Sequence, residues 1–516
     1  MISEEKIWRG VYWTVIGTLS LLMGLLYLAA YPIVDDLWFS TPGYESMTLW
    51  ERLSLSLTSL NVYLRTDMMR LANVIAPFMN MVAGRTAVSA VYTLLCMLSM
   101  EGWRRSLSIK VGSWTAYAIP LLFFLILPWY DYLLATSYML NYVLSTVLTV
   151  WVIYGFERLK TGMSVAEYCC WCVTAFLAGW NHEGFAVPLM CGLVVWMAAE
   201  CFTGKVVSWR RILLTVFTGL GVLLIFCGPT FGSRSRSWFE AVSAMPSWEF
   251  MIQLAPSLSV SLAAVVLSVP AVVRRWYRPR LLMLLTAALT AQCISLAFYS
   301  GPRTTWPAML FSLMVLVSLP EEYDLRGLTP RCVAATAFAV LMLVSCHLLY
   351  AIRSQVQLTE EYRTIMQLYS ESETGEVYAD VTTPKADLSL LKTTVRVLTD
   401  YHSLAFISLY QMGLNDDSKN LTILPEALEG FDADTAGPES SRPSNYVYNG
   451  LAVTADTIDP DGRSMVAHMV TESGEHLTSR CRPIVFHGRD GKESRWIMMH
   501  AQTLSPTLRV KSWYLE

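Results

Sequence analysis

About eleven apolar runs, most of them near the ~20 residues that cross a bilayer, follow one another along the first 351 positions of the chain. They lie near 11–31, 86–101, 113–129, 138–156, 164–181, 185–202, 212–228, 255–273, 281–299, 305–319 and 332–351. In hydrocarbon a helix satisfies its own backbone groups, so this pattern predicts an α-helical polytopic membrane protein. Composition agrees: 54% of residues are hydrophobic and 15% are charged, with a mean hydropathy of +0.41. The net charge of −3, with no basic stripe interleaved with aromatics, argues against nucleic acid as a partner. The first run opens after Lys6 and Arg9 and carries no small-residue cleavage site, which reads as a retained signal anchor.

Orientation follows from where Lys and Arg collect in short loops. Lys6 and Arg9, Arg104 to Lys110, Arg158 and Lys160, Lys205 to Arg211, Arg274 to Arg280, and Arg326 and Arg331 fall on alternate loops. Those loops are expected to be cytoplasmic, with the N-terminus inside and the C-terminus outside. The unusual polar clusters fall on the opposite set: Asp35-Asp36, Arg65 to Arg70, Asp131, Asn141, Asn181 to Gly184, Ser233 to Arg236 and Gly301 to Thr304. Polar groups at a membrane edge are costly to keep, so their segregation predicts one outward-facing cavity.

The first outer loop, 33–85, is too long for a connector and is expected to carry helices of its own. Met47, Trp50, Leu53, Leu57 and Leu60 recur at helical spacing, which describes an amphipathic helix lying at the interface. A second stretch, Arg70 to Pro77, is expected to roof the bundle. Residues 352–516 are polar, with turn signals between short alternating runs, and predict a separate soluble, mainly-β domain after a helical stalk near 353–371. Its expected strands are 377–381, 404–409, 421–424, 446–454, 465–470, 483–487 and 495–500.

Metal chemistry finds little support. The histidines of the outer domain have no ligand spacing, and Cys169-Cys-Trp-Cys172 stands alone on a helix and reads as packing. No cofactor is expected, and nothing in the sequence supports a divalent ion.

Carboxylates, arginines and a His-Glu pair on one outer face suit group transfer from a lipid-linked phosphate. Arginines hold the phosphate through charge-assisted hydrogen bonds while a carboxylate takes a proton from an acceptor hydroxyl. Asp35 suits the base role because Asp36 beside it raises its pKa.

These residues resemble a known group. A first span ending in Asp35-Asp36, a long outer loop with helices, Tyr138-Met-Leu-Asn-Tyr142 entering a later span, Trp180-Asn-His-Glu183 and a late Pro302-Arg-Thr304 are similar to the GT-C superfamily of polytopic glycosyltransferases. The likeness is to the bacterial branch resembling O-antigen glucosyltransferases and covers roughly residues 5–350. It implies a transmembrane catalytic domain over 1–351 in a bacterial inner membrane and a periplasmic domain over 352–516. It also implies a polyprenyl-phosphate sugar donor and transfer on the periplasmic face to a glycan or lipid acceptor of the cell envelope.

In that frame Asp35 is the general base and Asp36 positions the acceptor or supports the base, with Trp38 and Tyr44 as sugar-stacking walls. Arg303 has the best claim on the donor phosphate, with Arg65, Arg70 and Arg85 competing. His182, Glu183, Asn141 and Tyr138 are candidates for substrate binding. The chain lacks the Asp-Glu form of the first-loop pair, a second carboxylate cluster and a Trp-Trp-Asp acceptor motif. Other readings stay open: a transporter or lipid-linked glycan flippase, a polysaccharide polymerase or ligase, and a sensor anchored by the bundle.

Overall fold

A computed structural model describes residues 4–30, 46–66, 69–129, 134–159, 163–229, 247–275, 279–298, 302–323, 329–372, 376–378, 422–424, 446–448, 451–454, 465–471, 474, 476–487, 493–499 and 510–515. The chain divides into two compact units, one holding Met1–Glu360 and the other most of the C-terminal remainder.

The first unit is helical, and its last helix extends past Glu360. Its elements are α1 (Glu4–Ala29), α2 (Leu49–Thr66), α3 (Leu71–Pro77), α4 (Gly84–Ser106), α5 (Trp114–Leu125), α6 (Thr136–Met139), α7 (Ser145–Arg158), α8 (Val165–Asn181), α9 (Glu183–Phe202), α10 (Trp209–Phe226), α11 (Ser247–Arg275), α12 (Pro279–Ala297), α13 (Trp306–Glu322) and α14 (Pro330–Glu371). Among the described residues, eight helical stretches are long and apolar enough to cross a membrane, so the protein is a helical polytopic membrane protein.

Every predicted span falls on a helix, but three of these helices are under 18 residues and are not among the eight. α8 and α13 have 17 residues each, and α5 has 12. α5 ends early because the apolar run beyond it folds back as a buried turn. There Trp129 stacks on Phe124 (6.0 Å, 17°) and meets Trp306 edge-on (4.8 Å). Hydropathy cannot separate a buried aromatic turn from one more turn of helix.

Local chemistry sets the helix starts. Thr48 and Glu51 cap α2 reciprocally: the Thr48 backbone N–H donates to Glu51 Oε2 (2.7 Å) and the Glu51 N–H donates to Thr48 Oγ1 (3.4 Å). The Thr48 N–H and then the Thr48 hydroxyl, which donates to the same Oε2 at 2.8 Å, hold the Glu51 carboxyl below its ordinary pKa. On α2 the ridge that carries Trp50 and Leu57 is exposed, whereas Ser56 is buried and donates to the Arg52 and Pro77 carbonyls. The apolar ridge therefore faces away from the bundle, as an interfacial helix requires. The predicted roof over Arg70 to Pro77 is α3, with Leu71, Ala72 and Ala76 buried.

Close backbone contacts lock the bundle. A Cβ at Gly179 would lie 2.0 Å from the Thr218 carbonyl oxygen, and one at Gly221 would lie 2.3 Å from that of Phe176. Only glycine allows α8 and α10 to approach so closely, which is how small residues drive helix association in lipid.

The helices sort the charges to opposite ends. At one end, Glu101 accepts from Arg104 (2.8 Å) and from Arg105, Glu200 from Arg211 (2.6 Å), and Glu157 from Arg280 (3.3 Å). These arginines are among those from which a cytoplasmic face is expected by the positive-inside rule. The other end carries Arg70, His182, Glu183 and Arg303.

In the C-terminal unit the described strands are β1 (Glu376–Tyr378), β2 (Thr422–Leu424), β3 (Tyr446–Tyr448), β4 (Leu451–Thr454), β5 (Met465–Thr471), β6 (His476–His487), β7 (Glu493–Met499) and β8 (Val510–Leu515). β1 and β2 pair in parallel, and the other six form an antiparallel sheet in the order β3-β4-β7-β6-β5-β8. The expected strand at 404–409 lies outside the described residues, and β8 had no counterpart in the sequence reading. The predicted stalk at 353–371 is continuous with the last span, both forming α14.

Candidate functional site

Two breaks in helical regularity frame the cluster at the second end. Phe78–Ala83 and Leu140–Leu144 are π-helical, the first between α3 and α4 and the second between α6 and α7. Such wide turns re-aim side chains and recur at functional sites. Gly84, at φ +77°, closes the first of them in a conformation that favours glycine. Asn141 and Tyr142 ride on the second.

Arg70 precedes α3 in an extended conformation (φ −86°, ψ 141°), so its side chain leaves before the helix starts. Glu183 opens α9. The two meet as a bidentate pair: Arg70 Nε donates to Glu183 Oε2 at 2.9 Å and Arg70 Nη2 donates to Oε1. Both side chains are largely buried, at 13% and 14% exposure. A fork-to-carboxylate pair is the strongest form of such contact, and it ties the first outer segment to α9 across 113 residues of sequence. Trp180 Nε1 adds a second tie by donating to the Met69 carbonyl at 2.7 Å.

His182 sits in the turn between α8 and α9 and caps α9. Its Nδ1 accepts from the Gly184 N–H at 3.0 Å, so the neutral ring carries its hydrogen on Nε2. Burial pushes its pKa down to about 4; Glu183 acts against this, while Arg70 and Arg303 add to it. His182 is therefore a neutral imidazole near pH 7, packed 5.1 Å from the Tyr142 ring and edge-on to Phe185 at 5.8 Å. The imidazole thus packs on a ring of a neighbouring helical segment. Its chain neighbour Glu183 pairs with Arg70.

A depressed histidine makes stability depend on pH. Below the unfolded value of ~6.5 the unfolded chain binds a proton that the folded chain refuses. Stability is therefore full above pH ~6.5 and falls toward pH 4, by about 1.4 kcal/mol per pH unit at most. Thermal unfolding in detergent should show this loss in the parent chain and a flatter dependence in His182→Gln. Parallel curves would mean that other groups govern the acid response.

Arg303 follows Pro302 in a 3-10 turn that leads into α13. Its guanidinium lies over the Tyr138 ring, 5.1 Å from the centroid, and Tyr138 stacks parallel to Tyr142 at 6.4 Å. Arg303, Arg70 and Glu183 all act electrostatically on the Tyr142 hydroxyl. Asn141 Nδ2 donates to the Ser137 carbonyl at 2.8 Å and reaches Asn73 Oδ1 at 3.5 Å. Asn181 binds the same segment through the Leu140 carbonyl and Ser145 Oγ. The end of α1 is attached nearby, because the Tyr27 and Thr136 hydroxyls are 2.9 Å apart.

Contacts thus link Arg70, Glu183, His182, Tyr138 and Arg303, with Asn141 on the same π segment. Arg85 does other work: it donates to the Tyr27 carbonyl (2.8 Å) and to that of Ala30, with its guanidinium over the Tyr27 ring. It satisfies the last carbonyls of α1, a favourable place for a cation. Arg65 is exposed in the last turn of α2. Asp35, Asp36, Trp38, Tyr44 and Asp131 lie outside the described residues. Tyr142 was not singled out as a site residue; its spacing of four from Tyr138 is the signal that would have found it.

Among the described residues no group of three or more His, Cys, Asp or Glu side chains is arranged to hold a metal ion. No protein-family model, no curated protein and no solved structure matches this chain.

Proposed function

We propose that the chain is a membrane glycosyltransferase of the bacterial inner membrane. It transfers a sugar from a polyprenyl-phosphate donor to a cell-envelope glycan or lipid acceptor on the periplasmic face. The observation that carries this reading is the cluster at one end of the bundle: Arg303 over Tyr138, the Arg70–Glu183 pair, and a neutral His182 against Tyr142. A guanidinium on an aromatic shelf offers planar donors to a phosphate diester, and the flanking rings offer faces to a sugar. Asp35 serves as general base, with Asp36 beside it. The C-terminal strands belong to a periplasmic, mainly-β domain that engages the acceptor.

The test is transfer from a panel of labelled polyprenyl-phosphate sugars in reconstituted membranes, comparing the parent with Arg303→Ala at matched expression. The parent should consume at least one donor. The variant should lose about tenfold or more in rate, the worth of one charge-assisted contact. Movement of labelled lipid or solute across the bilayer without donor consumption would establish the transporter or flippase reading instead.

A further inference from the structure

At the opposite end of the bundle, α4, α7 and α8 leave a groove of about 380 Å³ in their outer surface. Its walls are apolar over most of their length, with Leu98, Val147, Leu148, Trp151, Trp171 and Thr174 along them. Trp171 is seated firmly, because a Cβ at Gly155 would lie 2.4 Å from its ring. Trp151 is held by donating to the Leu98 carbonyl at 3.1 Å. The groove is thus a fixed channel with rigid aromatic walls, shaped for a hydrocarbon chain.

The charges at one end say which chain. Tyr154 packs between the two tryptophan rings, 5.5 Å from Trp151 and 6.1 Å from Trp171. Two guanidinium groups converge on it: Arg158 Nη1 donates to its hydroxyl at 2.7 Å with the guanidinium 5.3 Å from the ring centroid, and Arg105 lies 5.8 Å from the same centroid. Arg105 keeps 40% of its side chain exposed although it shares Glu101, and Arg158 is exposed. Glu167, in the first turn of α8, also lines the groove. Arg105 also lies 5.7 Å from the Trp151 ring, so two accessible cations flank the aromatic wall of the groove and one carboxylate, Glu167, lines it.

We propose that this groove holds a phospholipid whose headgroup carries both a phosphate and a primary ammonium. The phosphate lies on Arg105 and Arg158, the ammonium on Glu167, and one acyl chain between Trp151 and Trp171. A headgroup with phosphate alone satisfies the arginines but faces Glu167 with like charge. The matched headgroup satisfies all three. This site is separate from the cluster of Arg303 and His182 and does not depend on the transferase reading.

Native mass spectrometry of the full chain, released from detergent after exchange into equimolar phosphatidylethanolamine and phosphatidylglycerol, reads occupancy directly. The parent should retain the ethanolamine lipid in preference to the glycerol one. Arg105→Ala/Arg158→Ala should lower retention of both about tenfold, the loss of one charge-assisted hydrogen bond or more. Glu167→Gln should remove the preference while leaving glycerol-lipid retention in place. Thr174→Trp fills the groove without touching the charges and should displace lipid even if the arginine variant fails to fold. Preference for the glycerol lipid in the parent, or equal retention in the parent and Thr174→Trp, would overturn the proposal.

Discussion

Asp35→Asn is expected to leave the chain folded and inserted and to lower sugar transfer by about 10²- to 10⁴-fold, the range for losing a general base. The amide keeps the volume and one acceptor oxygen but cannot take a proton from the acceptor hydroxyl. Asp36→Asn should act differently. A neighbouring carboxylate raises the pKa of Asp35, so neutralising it lets Asp35 ionise at lower pH. The acidic limb of the rate profile should then move down in pH while the plateau falls less than in Asp35→Asn. The measurement is initial transfer rate against pH for parent and both variants with the same labelled donor. A purely structural role for the pair would lower rates without moving the limb. Asp35→Asn activity within about threefold of the parent, too little for a lost base, would end the assignment.

The helices were legible because a bilayer makes hydrophobicity nearly equivalent to secondary structure. Where that equivalence fails, the reading failed too. Leu127 and Trp129 are apolar because they are buried in an aromatic turn, and they extended the run of α5 beyond its helix. The alternation of basic loops placed Arg70, His182, Glu183 and Arg303 at one end, and contacts among the helices bring them together there. What the sequence could not supply was partner choice. Nothing local says that Arg70 binds a carboxylate 113 residues away, or that Arg85 is spent on the carbonyls of Tyr27 and Ala30. Nor did counting basic residues reveal that Glu101, Glu157 and Glu200 pair with several of them. A side chain's sidedness is written in its own neighbourhood. Its partner is written in another helix.

The Arg70–Glu183 pair should prove to be a coupled unit whose halves cannot be removed singly. Either single truncation leaves one charge buried without its partner, which costs about 3–5 kcal/mol in such pairs. Arg70→Met/Glu183→Met removes both charges, keeps comparable volume, and should recover most of that loss in detergent unfolding. The two singles and the double form a cycle whose coupling energy measures the pair directly. Arg70→Lys separates charge from geometry: it keeps the cation but loses the fork that meets both carboxylate oxygens. If the pair only clamps the first outer segment to α9, transfer should follow stability through all four variants, and the double variant should regain activity as it regains folding. If Arg70 and Glu183 also shape the field around Tyr142 and His182, the double variant should be stable and still slow. His182 would report the same distinction, since losing Arg70 removes a cation that depresses its pKa, whereas losing Glu183 removes the carboxylate that raises it. Both acid losses start near the unfolded histidine value of ~6.5 and end at the folded one. The loss should therefore run to lower pH and grow larger in Glu183→Met than in Arg70→Met, because the histidine that has lost its carboxylate is the more strongly depressed.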